Sequence, residues 1–107
     1  MTIETLVQEI TTAYRRLSAA TENLASADRE LSRHVRRVRL DNAEAILEAK
    51  NERTANLYLD GLLDTEEHMG LEDDMARAQL DLQNAKLEVE RLQLIVRLLA
   101  SQTGERP

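Results

Sequence analysis

The sequence predicts an all-α protein, a helical hairpin of coiled-coil type that assembles with further copies of itself. Three observations carry that expectation. Apolar residues recur at three- and four-residue steps in two long ladders. Leu, Ala, Glu and Arg dominate, with three Gly, one Pro and 2% aromatics, a composition of long helices and not of a sheet. A single domain of 107 residues buries only a modest fraction of its surface, so one thin layer of helices needs a partner.

The first ladder is Ile3, Ile10, Leu17, Leu24, Leu31, Val38 and Ala45, each seven residues apart. Its companion row is Leu6, Ala13, Ala20, Ala27, then His34 and Asp41. Large residues on one row and alanines on the other let a neighbouring helix approach closely. No Gly or Pro interrupts residues 1–60. The expected element is therefore one helix over about residues 2–60, roughly 85–90 Å long. The alternative is a break near Leu40–Asn42, where Asp41 and Glu44 could form a capping box, giving a three-helix bundle.

The second ladder is Leu71, Met75, Ala78, Leu82, Ala85, Val89, Leu92, Val96 and Leu99. It predicts a shorter antiparallel helix over about residues 66–101. This helix also carries Leu80, Leu87 and Leu94 on its opposite face, joined by Ile95 and Leu98. A helix covering one neighbour should be polar there, so two apolar faces imply two neighbours.

Between the ladders lies DGLLDTEEHMGLEDD, residues 60–74. Gly61 suits a left-handed C-cap. Asp64 or Thr65 can cap the next helix, with Glu67 completing a capping box from Asp64. Seven acids and no Lys or Arg sit here: Asp60, Asp64, Glu66, Glu67, Glu72, Asp73 and Asp74.

A simple hairpin folded about residue 65 places residue i opposite about 131 − i. It leaves residues 1–28 without a partner in their own chain, although they hold the clearest part of the first ladder. The expected oligomer interface is accordingly Ile3, Leu6, Ile10, Leu17 and Leu24, with Leu80, Leu87 and Leu94. The expected organisation is a single domain over 1–107. Residues 1–40 would be an oligomerisation helix, 41–101 a hairpin and 102–107 a disordered tail.

The stretch RELSRHVRRVRL, residues 29–40, sets five arginines against one glutamate in a chain of net charge −6. The hairpin register puts Arg33 near Leu98 and Arg36 near Ile95, beside the negative dipole end of the second helix. Arg29, Arg33, Arg36, Arg37 and Arg39 then face either acids of a second subunit or phosphate. No aromatic lies among them for base stacking, which favours an intersubunit role over nucleic acid. A pI near 4.9 also argues against polyanion binding by the whole surface.

Chemistry is sparse. The absence of Cys excludes disulfides, thiol nucleophiles and thiolate metal sites. His34 lies on a ladder, where a single polar residue more often sets register than binds metal. Asp64, His68 and Glu72 share a face, but a capped, solvated acidic turn accounts for them. Di-iron bundles need Glu-x-x-His, and the positions three before each His are Leu31 and Thr65. The Glu-x-x-Glu pattern of helical nucleotide pyrophosphatases and any Gly-rich phosphate loop are missing. The expectation is a non-enzyme without catalytic, cofactor or metal residues.

The N-terminal MTIETLVQEI lacks the basic start of a signal peptide. Gln93 and Arg97 cut the longest apolar runs well short of a membrane span. The expected location is the cytoplasm, with no membrane contact.

AKNERTANLYLDGLL (49–63), the acidic turn and LEDDMARAQLDLQNAKLEVERLQLIVRLL (71–99) resemble a family of small helical phage and prophage proteins. These are encoded among early genes for recombination and single-strand annealing. Lys50–Asn51–Glu52, Glu88–Val89–Glu90 and Arg97–Leu98–Leu99 fit the family's pattern; the turn TEEHMG lacks its Pro and Tyr. The resemblance covers about half the chain and implies a setting in phage DNA metabolism or host takeover, with no assigned activity.

The sequence therefore predicts a helical homodimer that acts by binding another protein. One rival is a nucleic-acid accessory protein using the five arginines. The other is an inhibitor of a host nuclease or defence complex, with the seven acids imitating DNA phosphates.

Overall fold

A computed structural model describes residues 2–102, which form four helices joined by short connections and, among the described residues, no strand. The helices are α1 (Ile3–Asp41), α2 (Ala43–Leu47), α3 (Glu52–Leu62) and α4 (Glu66–Gln102). The two long helices, α1 and α4, pack as a helical hairpin, and α4 has nearly the bounds its ladder predicts. Of the tail expected over 102–107, Gln102 is the last helical residue and the remainder lies outside the described residues.

Thr2 starts α1: its Oγ1 accepts the Thr5 N–H at 3.1 Å, satisfying one of the free donors of the first turn. The expected continuous helix to residue 60 does not form, because the chain leaves helical geometry at Asn42, with φ −121° and ψ 20°. The Asn42 side chain donates to the Val38 carbonyl at 2.9 Å, a local bond that competes with helix continuation. The break falls where the three-helix alternative puts it. No Asp41–Glu44 capping box accompanies it: Asp41 is the last residue of α1, and Asn42 makes no side-chain cap bond.

Two short helices follow in place of the end of a long one. Asn51 caps α3 with extended backbone, its Oδ1 accepting the Thr54 N–H at 2.8 Å. Gly61 is not a left-handed cap. It lies within the last turn of α3, and Leu63, in right-handed conformation, is the C-cap. Thr65 opens α4 by accepting the His68 N–H at 3.2 Å, so the Asp64–Glu67 box is not the cap used.

The chain divides into two compact units. The first joins Met1–Leu24 with Ala78–Pro107. Its core is Leu6, Ala13, Val89 and Leu92, with Ile10, Leu17 and Ile95 packed against it. Ala20, Ala78 and Ala85 are also buried, and Ala85 is wholly inaccessible. Small residues at these positions let the helix backbones come close. Leu92, 2% exposed, contributes about 1.5–3 kcal/mol by burial. The companion row Leu6–Ala13–Ala20 is thus the buried one, while Ile3 at the head of the other row stays open to solvent.

That core overturns the expectation that residues 1–28 lack a partner in their own chain. It also overturns the hairpin over 41–101, since the partner of α4 is α1. The sum-to-131 register fails because α2, α3 and their connections take up residues 42–65. Tyr14 meets Gln93 in the first unit.

The second unit is Ala25–Arg77, holding the C-terminal half of α1, the short helices α2 and α3, and the start of α4. Leu59 of α3 is buried here, and so is His34 of α1. His34 reaches Glu67 and His68, so the arginines around it lie beside the first turns of α4 and not its C-terminal end.

Candidate interaction surfaces

In the first unit, α4 carries an uncovered apolar row. Leu80, Leu87 and Leu94 are 54–56% exposed, and Leu98 on the same side is 56% exposed. Seven-residue steps place successive leucines about 10.5 Å apart along one face. Ile95, expected to join them, turns instead toward the core.

The other residues expected at an oligomer interface divide by burial. Leu6 is buried, and Ile10 and Leu17 pack on the cluster around it. Leu24 is half-buried. Their own chain already uses Leu6, Ile10 and Leu17. Ile3 remains exposed, together with Val7 and Tyr14, which the ladder analysis did not single out because they sit off both rows.

A groove of about 410 Å³ lies in the same unit between Ile10, Ala13 and Tyr14 of α1 and Val89, Leu92, Gln93, Val96 and Arg97 of α4. Gln93 closes part of it by donating from Nε2 to the Tyr14 hydroxyl at 3.2 Å. Nearby, Arg91 holds Glu88 through two bonds of 2.7 and 3.0 Å and lies 3.9 Å from Glu9. The hydrogen-bonded Arg91 guanidinium holds the Glu88 carboxyl below its ordinary range, and Glu88 in turn raises Arg91.

In the second unit, Arg29, Arg33, Arg36, Arg37 and Arg39 are all exposed. Among the described residues, none of the five forms an ion pair. The seven acids of residues 60–74 are also exposed. Three of them have local partners: Glu67 approaches His34, Glu72 holds His68 at 2.7 Å, and Asp74 pairs with Arg77 at 2.8 Å. A second groove of about 410 Å³ runs between Arg39, Leu40, Ala43, Ile46 and Leu47 and, on α3, Ala55, Asn56 and Leu59. The break at Asn42 creates this groove, which a continuous helix would not have.

The two histidines of the chain come together. Their ring centroids are 5.4 Å apart with the planes at 30°. Each sequence signal for a histidine was weak alone, and no spacing rule links positions 34 and 68. Among the described residues, no group of three or more His, Cys, Asp or Glu side chains is placed to hold a metal ion. No helix in the described residues is long and apolar enough to cross a membrane.

No family model, curated protein or solved structure matches the chain.

Proposed function

We propose that the chain is a non-enzymatic interaction protein that pairs with a second copy of itself through the outer leucine row of α4. The observation that carries this is the exposure of Leu80, Leu87 and Leu94 after α1 and α4 have completed their own core. Evenly spaced leucines along a solvent face repay exposure only by meeting a complementary apolar surface. A two-fold pairing of the row with itself supplies that surface and closes the assembly. The phage setting that residues 49–99 resemble makes recombination or replication in the cytoplasm the proposed context.

The chain has no cysteine, so one introduced thiol reports on proximity. Leu87→Cys should form an interchain disulfide under mild oxidation. Leu57→Cys, more exposed and on α3, should not. Equal cross-linking at both positions would sink the proposal.

One observation favours a second reading. Five arginines close together on α1, none of them in an ion pair among the described residues, form a cationic face open to phosphate. If that face binds DNA, affinity falls steeply with salt, and Arg33→Glu with Arg37→Glu removes it. Absence of binding at low salt rejects this reading.

A further inference from the structure

The break at Asn42 leaves apolar surface in the second unit that its own helices do not cover. Leu40 is 69% exposed and Leu47 84%. Both edge the groove of about 410 Å³ formed by α1, α2 and α3. A further groove, of about 430 Å³, runs along α1 over Leu31, Ser32, Val35, Arg36 and Arg39. Arg39 lines both, so the two grooves meet at its side chain. Residues 31–39 alone extend about 12 Å along the helix. The floor is aliphatic and one rim is cationic. Arg36 and Arg39 stand on that rim, and Arg29 and Arg33, seven and three residues before Arg36, share its side of α1. Among the described residues, none of these four arginines forms an ion pair, and no Asp or Glu lines either groove.

We propose that the joined grooves hold an acidic amphipathic helix of a partner protein, with its leucine-type side chains on the floor and its carboxylates on the arginine rim. Charge complementarity chooses this occupant. Arginines without counter-ions take carboxylates through paired N–H donors, which fixes orientation as well as adding energy. The aliphatic floor supplies the burial that an isolated surface ion pair lacks. A polyanion such as nucleic acid would meet the rim and leave the floor unused. No aromatic side chain lines either groove to stack a base. A small apolar ligand fits less well, because Ser32, Arg36, Arg39, Leu40, Leu47 and Asn56 are all exposed and the depression encloses little. A helix laid along such a channel, anchored at three- and four-residue steps, covers the floor from end to end.

The site lies wholly in the second unit, while the leucine row that pairs two copies lies in the first. The two readings therefore stand or fall separately. One surface assembles the protein, and the other gives it a partner of different sequence.

The test uses the full chain and a fluorescein-labelled helical peptide of about 15 residues, built from Leu, Glu and Ala with leucines at three- and four-residue steps. Fluorescence anisotropy should show saturable binding. Replacing the peptide's leucines by Ser, or its glutamates by Gln, should each weaken it at least about tenfold. On the protein, Leu40→Ser with Leu47→Ser, and Arg36→Gln with Arg39→Gln, should each do the same. All four side chains are exposed, so helicity should be kept. Should a variant lose helicity, the peptide series on the wild type decides. No saturable binding up to about 1 mM overturns the site. So does a serine peptide that binds as well as the leucine one, which would show charge attraction alone. Undiminished affinity in either helical protein variant overturns it too, as does a single-stranded oligonucleotide that binds where the peptide does not. If excess unlabelled peptide halves the protein's mass in light scattering, the groove belongs to a contact between copies, and the proposal fails.

Discussion

Gln93 of α4 donates to the hydroxyl of Tyr14 on α1 at 3.2 Å, joining residues 79 positions apart. The bond sits at the edge of the first unit's core and reports the register between the two helices. With Leu6 and Ala13 packed against Val89 and Leu92, that register leaves one face of α4 for the core and the opposite face for solvent.

The core should respond strongly to volume. Leu92→Ala removes a side chain 2% exposed and should cost about 2–5 kcal/mol. Ala85→Leu adds volume where the residue is wholly inaccessible, and should cost about 1–3 kcal/mol by overpacking. Urea denaturation monitored by helicity checks both. A loss below about 0.5 kcal/mol for either, the size of an ordinary surface effect, would contradict this packing.

The short helix α3 depends on its cap. Asn51→Ala removes the acceptor for the Thr54 N–H and should cost about 0.5–2 kcal/mol. Hydrogen exchange should show the loss as faster exchange over the first turn of α3, with α4 protected as before. Asn51→Asp, which keeps an acceptor, should behave as wild type.

The Glu88–Arg91 pair sets a sign for acid sensitivity. Because Arg91 lowers the folded-state value of Glu88, the pair's contribution is present above the ordinary Glu range and is lost as pH falls through the lowered value. Arg91 is exposed and Glu88 only half-buried, so the effect is small and screened by salt. Comparing stability from neutral to acidic pH, Glu88→Gln should show a shallower acid loss than wild type. A steeper loss in the variant would reverse the sign and contradict the assignment.

Much of the architecture is legible in the ladders. Leu71 through Leu99, at steps of three and four, gives α4 nearly to the residue, because a buried seam imposes its period on the sequence. The seam alanines 13, 20, 78 and 85 are legible for the same reason. The register is not, since it depends on how many residues the connection consumes. Asn42 is one of several polar residues that could end α1, and nothing in the sequence says that α2 and α3 follow. That shift moves residues 1–24 from an expected intersubunit contact to the chain's own core. It also moves the arginines away from the C-terminal end of α4. The meeting of His34 with His68 is a product of register, so each looked unremarkable on its own ladder or turn. The outer leucines were visible as a second face, and the structure leaves them exposed.

The most direct test of self-pairing through that face is the mass in solution of wild type and Leu87→Glu, by light scattering coupled to size exclusion. The wild type should have twice the 12.2 kDa chain mass, and Leu87→Glu should fall to a single chain with its helicity unchanged. A wild type that remains one chain at every concentration tested, or a Leu87→Glu variant that keeps the doubled mass, would contradict the proposal.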